Sequence, residues 1–238
     1  MSTPTTRIDA ITEGLYRIST SMPEDVVPGG FTFNQYLLVD ESPLLFHTGL
    51  RGHFDAVSQA IATVIPVDSL RYIGFCHVEA DECGALNQFL AVAPAAQPLC
   101  SQVAAMTSIG DLADRPPQVL ADGESLSLGK HVVEWHDAPH VPHAWENGFL
   151  FEQTTRTLFC GDLFTQGGDK HEPLSDDILG SSEQMRAGMD YFAHGANTRP
   201  ILQQLAALEP RILACMHGSA YQGDGGALLR SLSEKLSK

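Results

Sequence analysis

Residues 71–83 read Arg71-Tyr72-Ile73-Gly74-Phe75-Cys76-His77-Val78-Glu79-Ala80-Asp81-Glu82-Cys83. The first six residues are an apolar and aromatic run of the length of a short buried strand. At its end, ligand-type side chains alternate with apolar ones. In extended backbone, positions two apart share a face, so His77, Glu79 and Asp81 can converge while Val78 and Ala80 face the core. An ordinary reading stands beside this one. Asp81 is also a good N-cap for the helix that the pattern predicts over Glu82–Val92, and Glu79 suits a solvated turn.

Two further runs end in the same manner. Thr157-Leu158-Phe159-Cys160-Gly161 leads into Asp162, and Arg211-Ile212-Leu213-Ala214-Cys215-Met216 leads into His217. Side chains just outside a buried strand are held rigidly yet stay reachable, which suits a site. A fourth cluster, Pro139-His140-Val141-Pro142-His143, lies in a proline-marked loop before the strand expected at Gly148–Glu152. Taken singly, Asp162 reads as an Asx turn, His217-Gly218-Ser219 as a polar loop and the two histidines as loop residues. Taken together, four clusters at strand ends point to metal binding. Cys76, Cys160 and Cys215 read as buried packing thiols, because a thiolate ligand needs an electropositive neighbour.

Outward from these motifs, strands are expected at Gly14–Ile18, Thr32–Val39, Pro43–Phe46, Ser125–Leu128, His131–Trp135 and Thr157–Cys160. Helical spacing predicts helices over Phe54–Val64, Thr198–Leu208 and Ala227–Leu236, the last with Asp224 as its cap. Between Thr165 and Ser182 the composition turns to Gly, Asp, Ser and Pro and reads as irregular. Two halves of strands followed by helices imply an α+β chain with face-to-face sheets and helices outside.

Composition narrows the function. The 238 residues hold 14 Lys+Arg against 29 Asp+Glu, a formal net charge of −15 that excludes a basic nucleic-acid footprint. No apolar run reaches membrane-spanning length and no signal segment opens the chain, so no membrane partner is expected. Five cysteines without a Cys-x-x-Cys pair imply a reducing compartment, the cytoplasm. There is no Gly-x-Ser-x-Gly elbow, no phosphate-binding Gly-Lys loop and no His-Glu-x-x-His helix.

The series Phe33-Asn34-Gln35-Tyr36, Leu44-Leu45-Phe46-His47-Thr48-Gly49, Phe75 to Leu86, Leu158 to Phe164 and Ala214 to Tyr221 resembles metallo-β-lactamase-fold proteins across nearly the whole chain. His-x-Glu-x-Asp, in place of the commoner His-x-His-x-Asp-His, resembles more narrowly the di-iron domain of flavodiiron proteins and stand-alone oxygen-binding di-iron proteins. The resemblance implies a four-layer αββα sandwich, a single domain over 1–238, with a binuclear site at one edge of the sheets. Carried over by motif, one metal takes His77, Glu79 and a histidine of the Pro/His loop. The other takes Asp81 and His217, and Asp162 bridges them. The family's hairpin spacing favours His143 over His140 as that histidine. Glu82, where the family often has a histidine, is a further metal or supporting candidate, as are His140 and His47.

Three imidazoles and three carboxylates make a harder donor set than a hydrolytic zinc site. Two metal ions are implied, iron first, with manganese and zinc as alternatives. The expected function is a binuclear non-haem iron protein that binds and reduces O2 or NO. A binuclear metallohydrolase acting on an ester, thioester or phosphoester through metal-bound hydroxide, and an oxygen sensor without turnover, are the alternatives. A chain ending at Lys238 implies no flavodoxin domain and no flavin bound by this chain. Reduction then needs a separate electron-donor protein, and related proteins suggest a homodimer.

Overall fold

The structure, a computed structural model, describes residues 2–236. Its first sheet follows chain order: β1 (Thr5–Thr12), β2 (Leu15–Met22), β3 (Phe31–Leu38), β4 (Leu44–Phe46), β5 (Tyr72–Gly74), β6 (Gln97–Ser101) and β7 (Gln118–Leu120). The early pairs are antiparallel, whereas β4 to β7 run parallel and therefore need crossovers. These are supplied by α1 (Phe54–Ala62), by α2 (Ala80–Cys83) with α3 (Leu86–Val92), and by a helical stretch at 102–112. That stretch comprises α4 (Gln102–Ala104), a π-helical turn and α5 (Gly110–Leu112).

The second sheet has the order β12-β14-β13-β11-β10-β9-β8. Its strands are β8 (Ser125–Ser127), β9 (Val132–Asp137), β10 (Gly148–Glu152), β11 (Thr157–Gly161), β12 (Leu174–Ser175), β13 (Ile212–Cys215) and β14 (Ala220–Gln222). Helices α6 (Leu179–Gly188), α7 (Thr198–Ala207) and α8 (Gly225–Leu236) complete this half.

Strand alternation produces the layers, because both faces of the central strands are apolar. In the first sheet, Leu37 and Leu45 pack with Val57, Ile61 and Phe89 of the helices. Their neighbours Tyr36, Leu38, Leu44 and Phe46 face Trp135, Leu150 and Phe159 of the other sheet. In the second sheet, Phe149, Leu158 and Leu213 pack on Leu202, Leu205 and Leu229 of α7 and α8. The result is the four-layer αββα sandwich that the resemblance implies. No helix among the described residues is long and apolar enough to cross a membrane.

Several elements differ from the sequence reading. β1 is a half-exposed edge strand whose mixed sequence shows no clean alternation, and pairing with β2 decides it. β6 carries Pro98, which reads as a breaker but lies in a strand. α6 begins inside the segment read as irregular, since its Gly and Ser residues have weak helix propensity. The helix expected over Glu82–Val92 is two helices that break around Gly84. There the chain passes so close to α1's approach that a Cβ would lie 3.1 Å from the Arg51 amide nitrogen and 2.2 Å from the Ala80 carbonyl oxygen. Asp81 is not an N-cap; Glu79, in extended conformation, holds that position without a side-chain cap, and Asp81 lies in the first turn of α2.

Candidate metal centre

Four connections meet at one edge of the sandwich: those following β5, β11 and β13, and the loop from β9 to β10. They bring donor atoms of His77, Glu79, His143 and Asp162 within 4.8 Å of one another, and do the same for Asp81, Glu82 and His217. Asp162 joins the two groups. Its Oδ2 lies 3.2 Å from Nε2 of His143 and 3.6 Å from Nε2 of His77, while its Oδ1 lies 3.3 Å from Nε2 of His217. His217 Nε2 is also 3.4 Å from Asp81. Glu79 Oε2 stands 2.9 Å from His77 Nε2 and 3.3 Å from His143 Nε2.

All three histidines turn Nε2 inward because their other nitrogen is held from behind. His143 Nδ1 donates to the Tyr191 carbonyl at 2.9 Å, and His217 Nδ1 donates to the Thr32 carbonyl at 2.7 Å. His77 Nδ1 rests 3.1 Å from Cys76 Sγ. A carbonyl can only accept, so His143 and His217 keep their proton on Nδ1 and present an Nε2 lone pair to the site when neutral. Such support of a ligand histidine is what a metal centre requires.

Electrostatics describe the same demand for positive charge. Hydrogen bonds from His143 and then His77 pull the Glu79 carboxyl down to about 2. Burial opposes ionisation of Asp162, yet bonds from His143 and His217 outweigh it and hold the carboxyl well below the usual range. Bonds to Asp162 and then Glu79 raise His143 to about 10. For His217, burial works against the charge and Asp162 reverses it, for a net rise. A cation placed among these groups would compete with the protons they attract. The donor set suits such a cation. Nε2 of His77 and Nε2 of His143 are only 3.2 Å apart, a separation that two neutral acceptor nitrogens need a shared cation to hold.

The supporting frame comes from both sheets. Asn34 Nδ2 donates to the carbonyls of Cys215 and Gly218 at 2.9 and 2.8 Å, and the Tyr36 hydroxyl donates to Cys215 at 2.8 Å. Buried Arg17 adds a bond to Gly218 at 2.6 Å. Thus strands of the first sheet hold the His217 loop of the second. The Asn147 side chain donates to Val141 at 2.7 Å and steadies the loop that carries His143. Asn34, Arg17 and Asn147 escape the sequence reading; the polar residues of the Phe33-Asn34-Gln35 run, unexpected in a buried strand, are the available signal.

The remaining candidates separate clearly. His140 is exposed, with φ of 65°, and lies outside both donor groups; its amide donates to the Ala144 carbonyl at 2.8 Å within the loop that carries His143. His47 is buried beneath the site, with Nε2 3.2 Å from Cys76 Sγ, and burial lowers it to about 3. Cys76 is therefore more than a packing residue, since it stands between two histidines. Cys160 and Cys215 pack in the helix-facing core of the second sheet. Glu82 is fully buried.

The family model described as ODP family beta lactamase matches residues 31–218. The rubredoxin-oxygen oxidoreductase of Megalodesulfovibrio gigas is 30% identical over 207 residues, which cover 82% of this chain and 50% of that protein. The nitric oxide reductase of Moorella thermoacetica is 26% identical over 242 residues, covering 93% of this chain and 59% of that protein. The chain thus spans between half and three fifths of these two relatives. Among solved structures, a metal-soaked flavodiiron core from Synechocystis superposes with a TM-score of 0.84 at 20% identity, covering 99% of this chain and 61% of that one, a likeness of fold. Because the family match contains every residue of the two donor groups, the chain belongs to the ODP family beta lactamase proteins.

Proposed function

We propose that this chain is a binuclear non-haem iron domain that binds O2 or NO and reduces it with electrons from a separate donor protein. The observation that carries the reading is the pose of Asp162, whose two oxygens face different donor groups. His77, Glu79 and His143 would hold one iron, Asp81 and His217 the other, and Asp162 would span both. Ferrous iron bound by these residues would supply the reducing electrons for a diatomic molecule. The residues of the chain fix where that molecule can sit. The carbonyls of Tyr191 and Thr32 and the thiol of Cys76 keep the imidazole lone pairs aimed inward. Phe31 stacks against His217 with ring centres 4.4 Å apart, and Phe33 meets it edge-on at 5.5 Å. This apolar wall favours a small, weakly polar ligand over a bulky ester.

The names of the relatives, an oxygen oxidoreductase and a nitric oxide reductase, support the same substrates. Five free thiols suit a reducing cytoplasm, where we place the protein. The test is metal analysis of protein purified without added metal, followed by visible spectra of the reduced protein before and after O2 or NO. About two irons per chain are expected, with a spectral change on exposure and O2 consumption that requires a reductant. Zinc with an unchanged spectrum would overturn the reading in favour of the hydrolase.

A further inference from the structure

We infer that Glu82 is a ligand of the second metal position, making it a site of one imidazole and three carboxylates that selects a hard divalent cation. This rests on the binuclear reading above. Glu82 is 0% exposed, and neither of its carboxylate oxygens has a hydrogen-bond partner. Its donor atoms belong to the group with Asp81 and His217. An unpartnered ionised carboxylate in a protein interior is strongly unfavourable, so the site must supply a positive partner or a proton.

Among the described residues no Lys or Arg pairs with Glu82 to supply that charge. The ion pairs found among the described residues give Glu82 only His77, at 3.9 Å, and that nitrogen is already turned to Glu79 and Asp162. The other side of Glu82 meets His47 and Cys76. His47 Nε2 is turned to Cys76 Sγ at 3.2 Å rather than to Glu82. The neighbours Asp162 and Asp81 add like charge instead of compensating it. Meanwhile the backbone is fixed. The Glu82 carbonyl accepts from the Thr48 amide at 2.7 Å and from the Thr48 hydroxyl at 3.3 Å, while Thr48 Oγ1 accepts from the Ala85 amide at 3.1 Å. These bonds fix the backbone from which the side chain enters the donor group, where a cation would compensate its charge.

The two positions then differ in kind. One offers His77, His143, Glu79 and an oxygen of Asp162; the other offers His217, Asp81, Glu82 and the second oxygen of Asp162. Carboxylate-rich sets suit Mn(II) and Fe(II), whereas imidazole-rich sets hold Zn(II) well. The second position should therefore discriminate against zinc more than the first.

The experiment is a titration of chelator-stripped full-length protein with Mn(II) alone, followed by electron paramagnetic resonance, for the wild type, Glu82→Gln and Glu82→His. Circular dichroism confirms that each variant is folded. The wild type should bind two Mn(II). Glu82→Gln should keep the first and weaken the second by at least about tenfold. Glu82→His should keep two metals but shift the second position toward Zn(II) by about tenfold in competition. A Glu82→Gln protein that binds both Mn(II) as the wild type does would overturn the assignment, as would an unchanged preference in Glu82→His. A wild type that fails to bind a second metal overturns the binuclear reading and this one with it, which separates the two failures.

Discussion

Cys76 Sγ lies 3.1 Å from Nδ1 of His77, so a neutral thiol occupies the place behind this histidine that backbone carbonyls occupy behind the other two. The thiol is itself held by His47 Nε2 at 3.2 Å. A thiol is a weak donor and a weak acceptor, so His77 is the least firmly oriented of the three imidazoles. Cys76→Ala should lower affinity for the metal nearest His77 by about 10- to 100-fold, and Cys76→Ser should recover part of the loss. Equilibrium titration with Fe(II) under anaerobic conditions measures both. Equal affinities for the wild type and Cys76→Ala would show that the thiol only fills space.

Gly161 makes room for that thiol. It has φ of 50°, and a Cβ there would lie 2.7 Å from Cys76 Sγ. Gly161→Ala should therefore cost about 1–3 kcal/mol of stability through overpacking and backbone strain. It should also displace Asp162, the next residue, and weaken metal binding. Urea unfolding and metal titration of the same preparation would report the two effects. A variant as stable as the wild type would mean that Cys76 can move without cost.

Asn34 ties the sheets together beside the site. Its amide reaches two carbonyls that flank His217, those of Cys215 and Gly218. Asn34→Ala leaves both carbonyls without this donor, although Tyr36 still serves Cys215 and Arg17 still serves Gly218. A loss of about 1–3 kcal/mol is expected. The double change Asn34→Ala/Tyr36→Phe should cost more than the sum of the singles, because Cys215 then loses both side-chain donors. Chemical denaturation of the four proteins in the cycle gives the coupling, and strict additivity would contradict it.

These relationships mark how far the sequence can be read. The strand ends that deliver His77, Asp162 and His217 are local patterns, visible as apolar runs ending in a polar side chain. The assignment of Asp81 to a different donor group from Glu79 is not local. It follows from the start of α2 at Ala80, which turns the chain out of the extended conformation before the alternation is complete. Likewise, hairpin spacing favours His143 over His140, but the Tyr191 carbonyl that orients the His143 ring lies 48 residues further along. The bond from Asn34 to Cys215 spans 181 residues. No spacing rule reaches such partners, because the packing of the two sheets creates them. β1, β6 and β7 escape the sequence reading for a related reason: edge strands and the strands that follow crossovers are fixed by their neighbours more than by their own residues.

The turn between β10 and β11 gives a prediction on pH. Glu152 is 1% exposed and accepts from the amides of Thr154 and Thr155 at 2.8 and 2.6 Å, while its Oε1 lies 3.0 Å from His131 Nδ1. Burial alone would raise this carboxyl, but the Thr155 and Thr154 bonds and His131 outweigh it and lower it below its ordinary value of 4.5. Folding therefore keeps Glu152 ionised where the unfolded chain would take up a proton. The stabilisation is complete above 4.5 and disappears as pH falls through the lower folded-state value. Glu152→Gln keeps the shape but gives up the charge and must turn an amide nitrogen toward donors. It should lose about 1–3 kcal/mol at pH 7, and the gap to the wild type should close in the acid range. Thermal unfolding of both proteins from pH 7 downward tests this, and a gap that stays constant would show that the carboxylate is not held in its charged form by the turn.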